Sequence, residues 1–432
     1  MKNKIIIFTL FLFGLFFNSK AQDFITVWDL GLTNNSFEEL YFGVETNGPV
    51  SYTWETIPAS AFSGSGTFDM NMSGPPITGL IPNTKIRLKI NPTNLNRIYM
   101  TIISYSELMI DVEQWGFTSW TSMADAFRGC FDLDITATDV PNLSNVENCS
   151  FMFGYCDNLV SGNSLSNWNV SNVKNMDRMF ISCQNFNHPI NNWDVSNVTD
   201  MGGMFSGANN FNQPINSWDV SNVTDMGGMF SGADDFNQPL NNWNVSNVTE
   251  MDRMFNYATS FNQPLGNWDL TNVHFQLEEM LTYSGINCTN LSSSLYDWAH
   301  KPNPVGGLWI GVYNRTVTSA ITPELIFLTQ TKGWTLNGLN VDSNNCFTPS
   351  NIENINETSP LVISPNPTNG LITLSNYNTA ISKLEIVNLQ GQKLIENILK
   401  DNIDISALPQ GVYFLYISNE KGEKYVKKVI RE

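Results

Sequence analysis

The chain has 432 residues and a formal net charge of −18, with 22 basic and 40 acidic side chains. A chain of this length usually contains roughly two to four structural units. The acidic surplus argues against a nucleic-acid partner, which needs basic patches, and against binding to an anionic membrane surface.

The chain begins with a segment that has the features of a secretory signal peptide. Lys2 and Lys4 precede an almost wholly apolar run from Ile5 to Phe17, and Ser19-Lys20-Ala21 follows. Two lysines, a short apolar run and a small-x-Ala site are typical of such peptides, and the run is too short to span a membrane. We expect residues 1–21 to be removed and the mature protein to be exported without a transmembrane helix.

Residues 22–115 contain no repeat and are predicted to form a small all-β domain that caps the repeats after it. Phe24–Trp28, Ser51–Trp54 and Ile86–Ile90 alternate in polarity or carry β-branched and aromatic residues. Clusters of Gly, Pro and Asn separate these segments, as expected for turns between strands.

A 25-residue repeat occupies the next region. Its tryptophans are Trp168, Trp193, Trp218, Trp243 and Trp268. A repeat this short cannot bury its own apolar residues and must stack on its neighbours, which predicts a solenoid over residues 116–284. One residue per repeat marks the register: Trp120, Val146, Val173, Val198, Val223, Val248 and Val273.

The segment after each valine is predicted to be a short helix. Apolar residues follow Val198 at the helical offsets of +3, +6 and +7, and Gly207 marks the end. Asn197, with Asp200 three residues later, is a candidate cap for the helix start. Asn197 and its counterparts Asn222 and Asn247 also suggest a ladder of amides that satisfies turn backbone.

The segment around each tryptophan is predicted to be a half-buried strand. Polar and apolar residues alternate strictly over Ser217–Ser221, with Trp218 and Val220 pointing inward. Strands stacked in register would form a parallel sheet along one face, with the helices on the other. The inward direction favours a core role for the tryptophans over a carbohydrate-stacking role, because each repeat needs a large apolar residue to close it.

Residues 285–346 are predicted to close the array, with Trp298, Trp309 and Trp334 covering the last repeat. Cys288 and Cys346 bracket this segment, and export permits a disulfide between them. The other cysteines occupy core positions of the repeats, where we expect buried thiols. They are Cys130, Cys149, Cys156 and Cys183.

Residues 347–360 are polar and are predicted to be a linker. Residues 361–432 differ in composition and carry four strand-like segments, which predicts a small antiparallel β-sandwich. Those segments are Leu371–Leu374, Leu384–Val387, Gly411–Ile417 and Tyr425–Ile430.

The repeated text Asn-Trp-Asp-Val-Ser-Asn-Val-Thr-x-Met-x-x-Met-Phe-x-x-Ala resembles the BspA-like leucine-rich-repeat surface proteins of bacteria. The tail, with Ser364–Pro367 and Gly411–Phe414, resembles the C-terminal sorting domain of type IX secretion cargo. These resemblances imply passage across the outer membrane and an adhesin or interaction role. The expected fold is mostly β with short helices, a leucine-rich-repeat solenoid flanked by the N-terminal β domain and the C-terminal β-sandwich.

Two outward columns of the predicted strands are the candidate ligand-binding surface. The first holds Asn169, Asp194, Asp219, Asn244 and Asp269, and the second holds Asn167, Asn192, Ser217, Asn242 and Asn267. Strands about 4.8 Å apart would bring these oxygens together, where they would bind a sugar or peptide or hold Ca²⁺. A solvated polar face is favoured over any specific metal, because the sequence has no acidic loop of the calcium-binding type. We expect no cofactor, with Ca²⁺ as the open alternative.

The sequence shows no catalytic set. The three histidines, His188, His274 and His300, lie at no recognisable spacing from a nucleophile, and Cys-x-x-Cys and His-x-x-x-His patterns are absent. We therefore expect a non-enzymatic surface protein that recognises an extended protein or glycan ligand along the sheet face. A matrix component acting by self-association is the alternative. A polysaccharide-acting enzyme is a weaker one, because carboxylate pairs form in space and a sequence cannot exclude them.

Overall fold

The computed structural model describes residues 22–32, 37–59, 62–68, 72–73, 77–100, 103–160, 164–273, 276–302, 304–342, 346–347, 362–375, 381–388, 393–396, 402–419 and 424–432. The predicted signal peptide (residues 1–21), His274 and all of the predicted linker except Phe347 lie outside the described residues. Within the described residues, no helix combines the length and apolar character needed to cross a membrane.

The described residues of the N-terminal region form ten strands and one short helix. In chain order they are β1 (Phe24–Asp29), β2 (Glu39–Leu40), β3 (Gly43–Thr46), β4 (Val50–Ile57), β5 (Ser63–Phe68), β6 (Met72–Ser73), β7 (Ile77–Thr78), β8 (Lys85–Ile90), β9 (Leu95–Tyr99), α1 (Ile103–Ser106) and β10 (Met109–Gln114). The three strands expected from the sequence are confirmed within β1, β4 and β8. Ile86, Leu88 and Ile90 are buried, as the alternation along β8 requires.

This region continues directly into the repeats. Its largest sheet has the order β11-β10-β1-β8-β4-β5, and its outer strand β11 (Asp134–Ile135) lies inside the repeat region and pairs in parallel with β10. The remaining strands form the sheets β6-β3-β9 and β2-β7. A single hydrophobic core runs from Phe24 to Trp334, so the first strands and the repeats share one interior.

Equivalent apolar residues of successive repeats stack on one another inside this core. Phe205, Phe230 and Phe255 have ring centroids 5.8 and 5.7 Å apart, with interplanar angles of 11° and 4°. The five repeat tryptophans are 1–3% exposed, which confirms their inward direction. A column of small residues is also fully buried: Cys130, Cys156, Cys183, Ala208, Ala233 and Ala258. We call residues 116–284 the repeat stack.

The predicted leucine-rich-repeat solenoid is wrong. The structure has several small separate sheets, and no continuous parallel sheet runs along the described part of the repeat stack. There, regular structure is limited to β11, a 3-10 turn at Leu165–Asn167 and the two-residue strand β12 (Gln276–Leu277). Successive repeats otherwise pair through single parallel bridges, such as Asp200 with Asp225.

The predicted helix after each valine is a series of turns. Alternate backbone N–H groups, from Met201, Gly203, Phe205 and Gly207, donate to carbonyls 24 residues later at 2.7–2.9 Å. The intervening N–H groups of Met204, Ser206 and Ala208 donate to the carbonyl three residues earlier. Half of the donors that an α-helix would use internally therefore bind the next repeat.

The predicted Trp-x-Val strand fails for a related reason. Trp218 N–H donates to Ile215 O at 3.1 Å, and Val223 N–H donates to Val220 O at 3.0 Å. Both ends of the segment thus close into turns. The inward and outward alternation of the side chains was correct, but the backbone makes no sheet.

The segment after the stack combines helices and strands. It contains α2 (Cys288–Ala299), β13 (Trp309–Thr318), a 3-10 turn (Ser319–Ile321), α3 (Thr322–Ile326), a π-helical turn (Phe327–Thr331) and β14 (Thr335–Asp342). Strands β12, β13 and β14 pair in parallel in that order. Trp298 and Trp334 are buried, whereas Trp309 is 43% exposed, so its expected covering role is wrong. A disulfide joins Cys288 to Cys346.

The C-terminal region has its own core. Its strands are β15 (Val362–Ser364), β16 (Leu371–Ser375), β17 (Ile381–Asn388), β18 (Lys393–Glu396), β19 (Asn402–Asp404), β20 (Gly411–Asn419) and β21 (Lys424–Arg431). They form two antiparallel sheets, β15-β16-β19 and β18-β17-β20-β21. Ile372, Leu384 and Leu415 are among the residues buried in this separate core.

Candidate functional site

Two positions in every repeat have a left-handed backbone. The first column holds Asp125, Phe151, Arg178, Gly203, Gly228, Arg253 and Glu279, with φ of 52–61°. The second holds Gly129, Tyr155, Ser182, Gly207, Gly232, Tyr257 and Tyr283, with φ of 55–76°. These paired columns explain why no helix forms, because each one breaks the right-handed backbone. We call the outward surface that they form the turn face.

Most positions of the two columns carry a side chain that the backbone disfavours. Five of the seven residues in the first column and four of the seven in the second are not glycine. A left-handed conformation costs an ordinary residue about 1–2 kcal/mol, and glycine avoids that cost. Residues held in such conformations cluster at functional sites, so the turn face is the candidate functional site.

The middle of the turn face lacks side chains at both columns. Gly228 has only Ser231 Cβ within 4.0 Å of the place where its own Cβ would be, and Gly232 has only the backbone of Gly207, at 3.8 Å. The side chain of Arg178 covers Gly203, with Cγ 3.0 Å from the corresponding place. The surface above Gly228 and Gly232 is therefore an open notch.

Tyr257 flanks this notch on its later side, and on its earlier side Arg178, which covers Gly203, lies between the notch and Phe151. In the earlier repeats, the guanidinium groups of Arg128 and Arg178 lie 4.3 and 5.5 Å from the ring centroid of Phe151. In the later repeats, Tyr257 and Tyr283 stack with centroids 4.9 Å apart and are 53% and 44% exposed. The sequence reasoning missed these residues. The signal was available, because two repeats have glycine in the column of Phe151 and Arg178, and three have glycine in the column of Tyr257 and Tyr283.

Carboxylates line the same face. One oxygen each of Asp177, Asp200 and Asp225 lies 3.3–3.4 Å from the place that a Cβ on Gly202 would take. Burial raises the pKa of Asp177 and Asp225, and neighbouring carboxylates raise both further. The backbone N–H groups of Gly202 and Gly227 donate to Asp200 and Asp225 at 3.0 and 2.8 Å. Over the described part of the chain, no group of three or more His, Cys, Asp or Glu has a geometry that would hold a metal ion.

The first predicted polar column is exposed throughout. Each of its residues closes a local turn, in which a side-chain oxygen accepts the N–H two residues later. The acceptors are Asn169, Asp194, Asp219, Asn244 and Asp269, at 3.0–3.2 Å. In Asp219, hydrogen bonds from the side chain and backbone of Ser221 lower the pKa. One oxygen of each side chain is thus engaged by the fold.

The second predicted column, Asn167, Asn192, Ser217, Asn242 and Asn267, is exposed as well. Asn192 accepts from Asn191 Nδ2 at 3.1 Å, and Asn242 N–H donates to Asn216 Oδ1 at 3.0 Å. Asn267 differs, because its carbonyl accepts from Lys301 Nζ at 3.1 Å. The binding role of either column stays a prediction.

Amide ladders tie the repeats together, as one of the two interpretations of Asn197 predicted. Asn197, Asn222 and Asn247 each donate Nδ2 to the carbonyl 26 residues earlier, at 2.7–2.8 Å. The competing prediction of a helix cap is wrong, because no helix starts there. A second ladder, in which Gln238 and Gln263 bind the asparagines 26 residues earlier, ends at Asn290 of α2. Asn290 takes the place of a glutamine and joins the closing helix to the stack.

The four repeat cysteines are free and fully buried, which confirms the expectation for them. Burial raises the pKa of the Cys149 thiol to about 12. Burial also lowers the pKa of His188. His300 lies within 2.8 Å of the Tyr296 carbonyl, close to α2.

Comparisons with known families support the two resemblances at a coarse level. Residues 121–220 and 185–298 each match a family described as Mycoplasma protein of unknown function, DUF285, which is BspA-like. This similarity gives no direct support for leucine-rich repeats. Residues 362–432 match a secretion system C-terminal sorting domain. No curated protein matches the chain.

The sorting-domain match confirms the type IX secretion resemblance of the tail. The protein is exported, uses the type IX secretion machinery through its last 71 residues, and is either attached to the cell surface or released.

Proposed function

We propose that this exported protein is non-enzymatic and recognises an extended protein or glycan ligand along the repeat stack, as an adhesin does. The single observation that supports recognition is the set of nine non-glycine residues held at positive φ on the turn face. Gly203, Gly207, Gly228 and Gly232 occupy the same columns in the middle repeats, so the fold does not need the side chains.

The repeated geometry favours an extended ligand over a compact one. Backbone hydrogen bonds join each layer of the turn face to the next, so equivalent positions recur at a spacing of about 4.8 Å. Weak contacts repeated at this spacing add up when one ligand engages several layers, because each later contact is intramolecular. The polar columns of Asp194 and Asp219 are a second candidate surface for the same ligand.

Self-association as a matrix component is the second candidate function. The acidic balance, 40 acids against 22 bases, opposes close packing of identical copies unless a cation bridges them. The proposal includes that the protein is not an enzyme. This part rests on the small number of histidines in the sequence. A polysaccharide-acting enzyme would show turnover that a single carboxylate substitution abolishes.

A binding screen with paired variants tests the proposal. The full chain is presented to glycan and matrix-protein arrays with and without Ca²⁺. One variant, Phe151→Gly/Arg178→Gly/Arg253→Gly/Tyr257→Gly, removes turn-face side chains and installs the residue that the middle repeats already use. The matched control, Asp194→Ala/Asp219→Ala/Asp269→Ala, changes the predicted polar column instead.

We expect saturable binding that the turn-face variant loses and the control keeps. Loss in the control alone would move the site to the polar column and make it the recognition surface. If no array ligand binds and sedimentation shows concentration-dependent self-association, the adhesin proposal is rejected in favour of the matrix role.

A further inference from the structure

Three tyrosines occupy successive layers, Tyr257 and Tyr283 at the later end of the turn face and Tyr313 in the adjoining strand β13. Tyr257 N–H donates to Thr282 O at 3.0 Å, and Tyr283 N–H donates to Tyr313 O at 3.5 Å. Tyr257, Tyr283 and Tyr313 are 53%, 44% and 46% exposed. We call these three residues the tyrosine strip. It spans two layer spacings, or about 10 Å at 4.8 Å per layer.

The strip ends in glycine on both sides. Before Tyr257, the same column holds Gly207 and Gly232, which have no side chain to cover the ring. After Tyr313, the ring lies over Gly338, whose own Cβ would be 2.4 Å from Tyr313 Cδ1. Tyr257 stacks on Tyr283 on one side. Its opposite side therefore faces the open notch above Gly232.

We infer that the tyrosine strip is a binding platform for an uncharged polysaccharide. This inference rests on the proposed function and names its ligand class. A sugar ring stacks on the side of Tyr257 that faces the notch and lies above Gly232, and the chain continues along Tyr283 and Tyr313. Tyrosine suits this role because it presents a flat apolar surface with a polar tip and has few side-chain torsions to immobilise.

The charges around the strip select an uncharged ligand. Arg253 is paired with Glu279 at 2.9 Å, and Asp252 leans over Gly227, with Oδ1 2.8 Å from the place of a Cβ there. Carboxylates at the edge accept hydrogen bonds from sugar hydroxyls but repel acidic polysaccharides and phosphates. The net charge of −18 acts in the same direction. A cationic peptide is the competing occupant that the experiment must separate.

The strain in the strip supports a role in binding. Tyr257 and Tyr283 have φ of 56° and 55°, in a column where the middle repeats have glycine. Stacking between the two rings offsets part of the conformational cost. About half of each side chain is nevertheless exposed to solvent. Exposed aromatic surface held at a conformational cost is a feature of ligand-binding surfaces.

Calorimetric titration of the full chain tests this inference. The probes are cellohexaose, laminarihexaose, mannohexaose and maltohexaose, with hexagalacturonate as the acidic probe and hexalysine as the cationic one. The variants are Tyr257→Ala, Tyr257→Phe and Tyr257→Ala/Tyr283→Ala. Tyr155→Ala, with φ of 65° in the same column, is the control for folding, and Phe117→Ala, at a 57% exposed position outside the turn face, is the control for binding.

At least one uncharged hexasaccharide is expected to bind saturably, and hexagalacturonate is not. Tyr257→Ala should weaken binding about tenfold, equivalent to about 1.4 kcal/mol, and the double variant should abolish it. Tyr257→Phe, which keeps the ring but loses the polar tip, should weaken binding less than Tyr257→Ala does, and Phe117→Ala should leave Kd unchanged. Equal melting temperatures of Tyr257→Ala and Tyr155→Ala would show that lost binding is not lost folding.

Three outcomes would overturn the inference and leave the proposed function standing. These are sugar binding unaffected by the double variant, binding to hexalysine alone, and binding to matrix proteins with no sugar bound. If the chain binds nothing on the arrays and self-associates, the inference and the proposed function both fail.

Discussion

The middle and flanking layers of the repeat stack have the same interior and different exteriors. Residues 200–208 and 225–233 have glycine at both left-handed positions, whereas residues 175–183 have Arg178 and Ser182 there. The methionine and phenylalanine positions inside are fully buried in both kinds of layer. The interior therefore determines the backbone, and the backbone tolerates different side chains at the turn face. The side chains of a binding site on the turn face can therefore differ from layer to layer without a change of fold.

The largest expected effect comes from breaking the shared interior. Phe230 is fully buried, with ring centroids 4.0 Å from Phe236 and 5.7–5.8 Å from the phenylalanines of the neighbouring layers. Phe230→Ala should lower the free energy of unfolding by about 3–5 kcal/mol, because it opens a cavity between layers. Denaturant titration followed by tryptophan fluorescence measures this loss. Phe117→Ala, at a 57% exposed position, should cost far less. Equal losses would show that the stack does not depend on its interior columns.

A smaller effect should follow from adding a side chain to the open layers. Gly232 has φ of 67°, and no atom lies closer than 3.8 Å to the place of its missing Cβ. Gly232→Ala therefore meets strain without a clash and should lower the free energy of unfolding by about 1–2 kcal/mol. Ser231→Ala, next to it and without a positive φ, is the control. A neutral Gly232→Ala would mean that the left-handed columns carry no conformational cost, which would remove the argument for the turn face.

The converse substitution should stabilise a flanking layer. Ser182 has φ of 55° in the column where the next layer has Gly207. Ser182→Gly relieves the left-handed strain but adds freedom to the unfolded chain, so a net gain of about 0.5–1 kcal/mol is expected. Ser206→Gly, the same change one layer later at a position without positive φ, should destabilise. The thermal melting of the two variants should therefore shift in opposite directions.

Burial patterns could be read from the sequence, but the backbone between buried residues could not. The columns of Trp218 and Val220 were predicted correctly, because a 25-residue period forces equivalent apolar residues together. The spacing of apolar residues from Val198 to Phe205 fits a helix and a pair of turns equally well. The sequence therefore could not separate the two, and the predicted helix was wrong. Two glycines at fixed offsets, as in Gly203 and Gly207, were the signal for left-handed turns.

The candidate site was harder to predict than the core. Asp194 and Asp219 were predicted to bind a ligand because their oxygens repeat in a column, yet each side chain also closes a local turn. Tyr257 departs from the glycine of the preceding repeats, so a pattern of repeated residues does not indicate it. A residue that departs from a glycine column is informative only once the backbone there is known to be left-handed. Glycines at fixed offsets indicate left-handed turns, but the left-handed φ of Tyr257 and of the other non-glycine residues in these columns required the structure.

The smallest expected effect is a difference in how stability depends on pH, with opposite signs on the turn face and on the polar column. Burial raises the pKa of Asp225 above its ordinary value of 3.8, so the folded protein holds this proton more tightly than the unfolded chain. The associated stability is present below the ordinary value and is lost as the pH rises through the folded value. Asp225→Asn should therefore add about 0.5 kcal/mol at neutral pH and nothing in acid. Asn175 accepts the same N–H contact in its own layer, so the substitution keeps the turn.

Asp219→Asn on the polar column is the matched control, because hydrogen bonds from Ser221 lower its pKa. There the charged form contributes stability above the ordinary value, and that stability is lost as the pH falls, so the asparagine variant should be slightly less stable at neutral pH. Thermal melting of both variants across the acid range measures the difference. Opposite signs would show that the charged carboxylate lowers the stability at Asp225 on the turn face and raises it at Asp219 on the polar column. The fold needs no charge at Asp225, because Asn175 accepts the equivalent N–H with an amide oxygen, so such a cost would fit the proposal that turn-face residues bind a ligand.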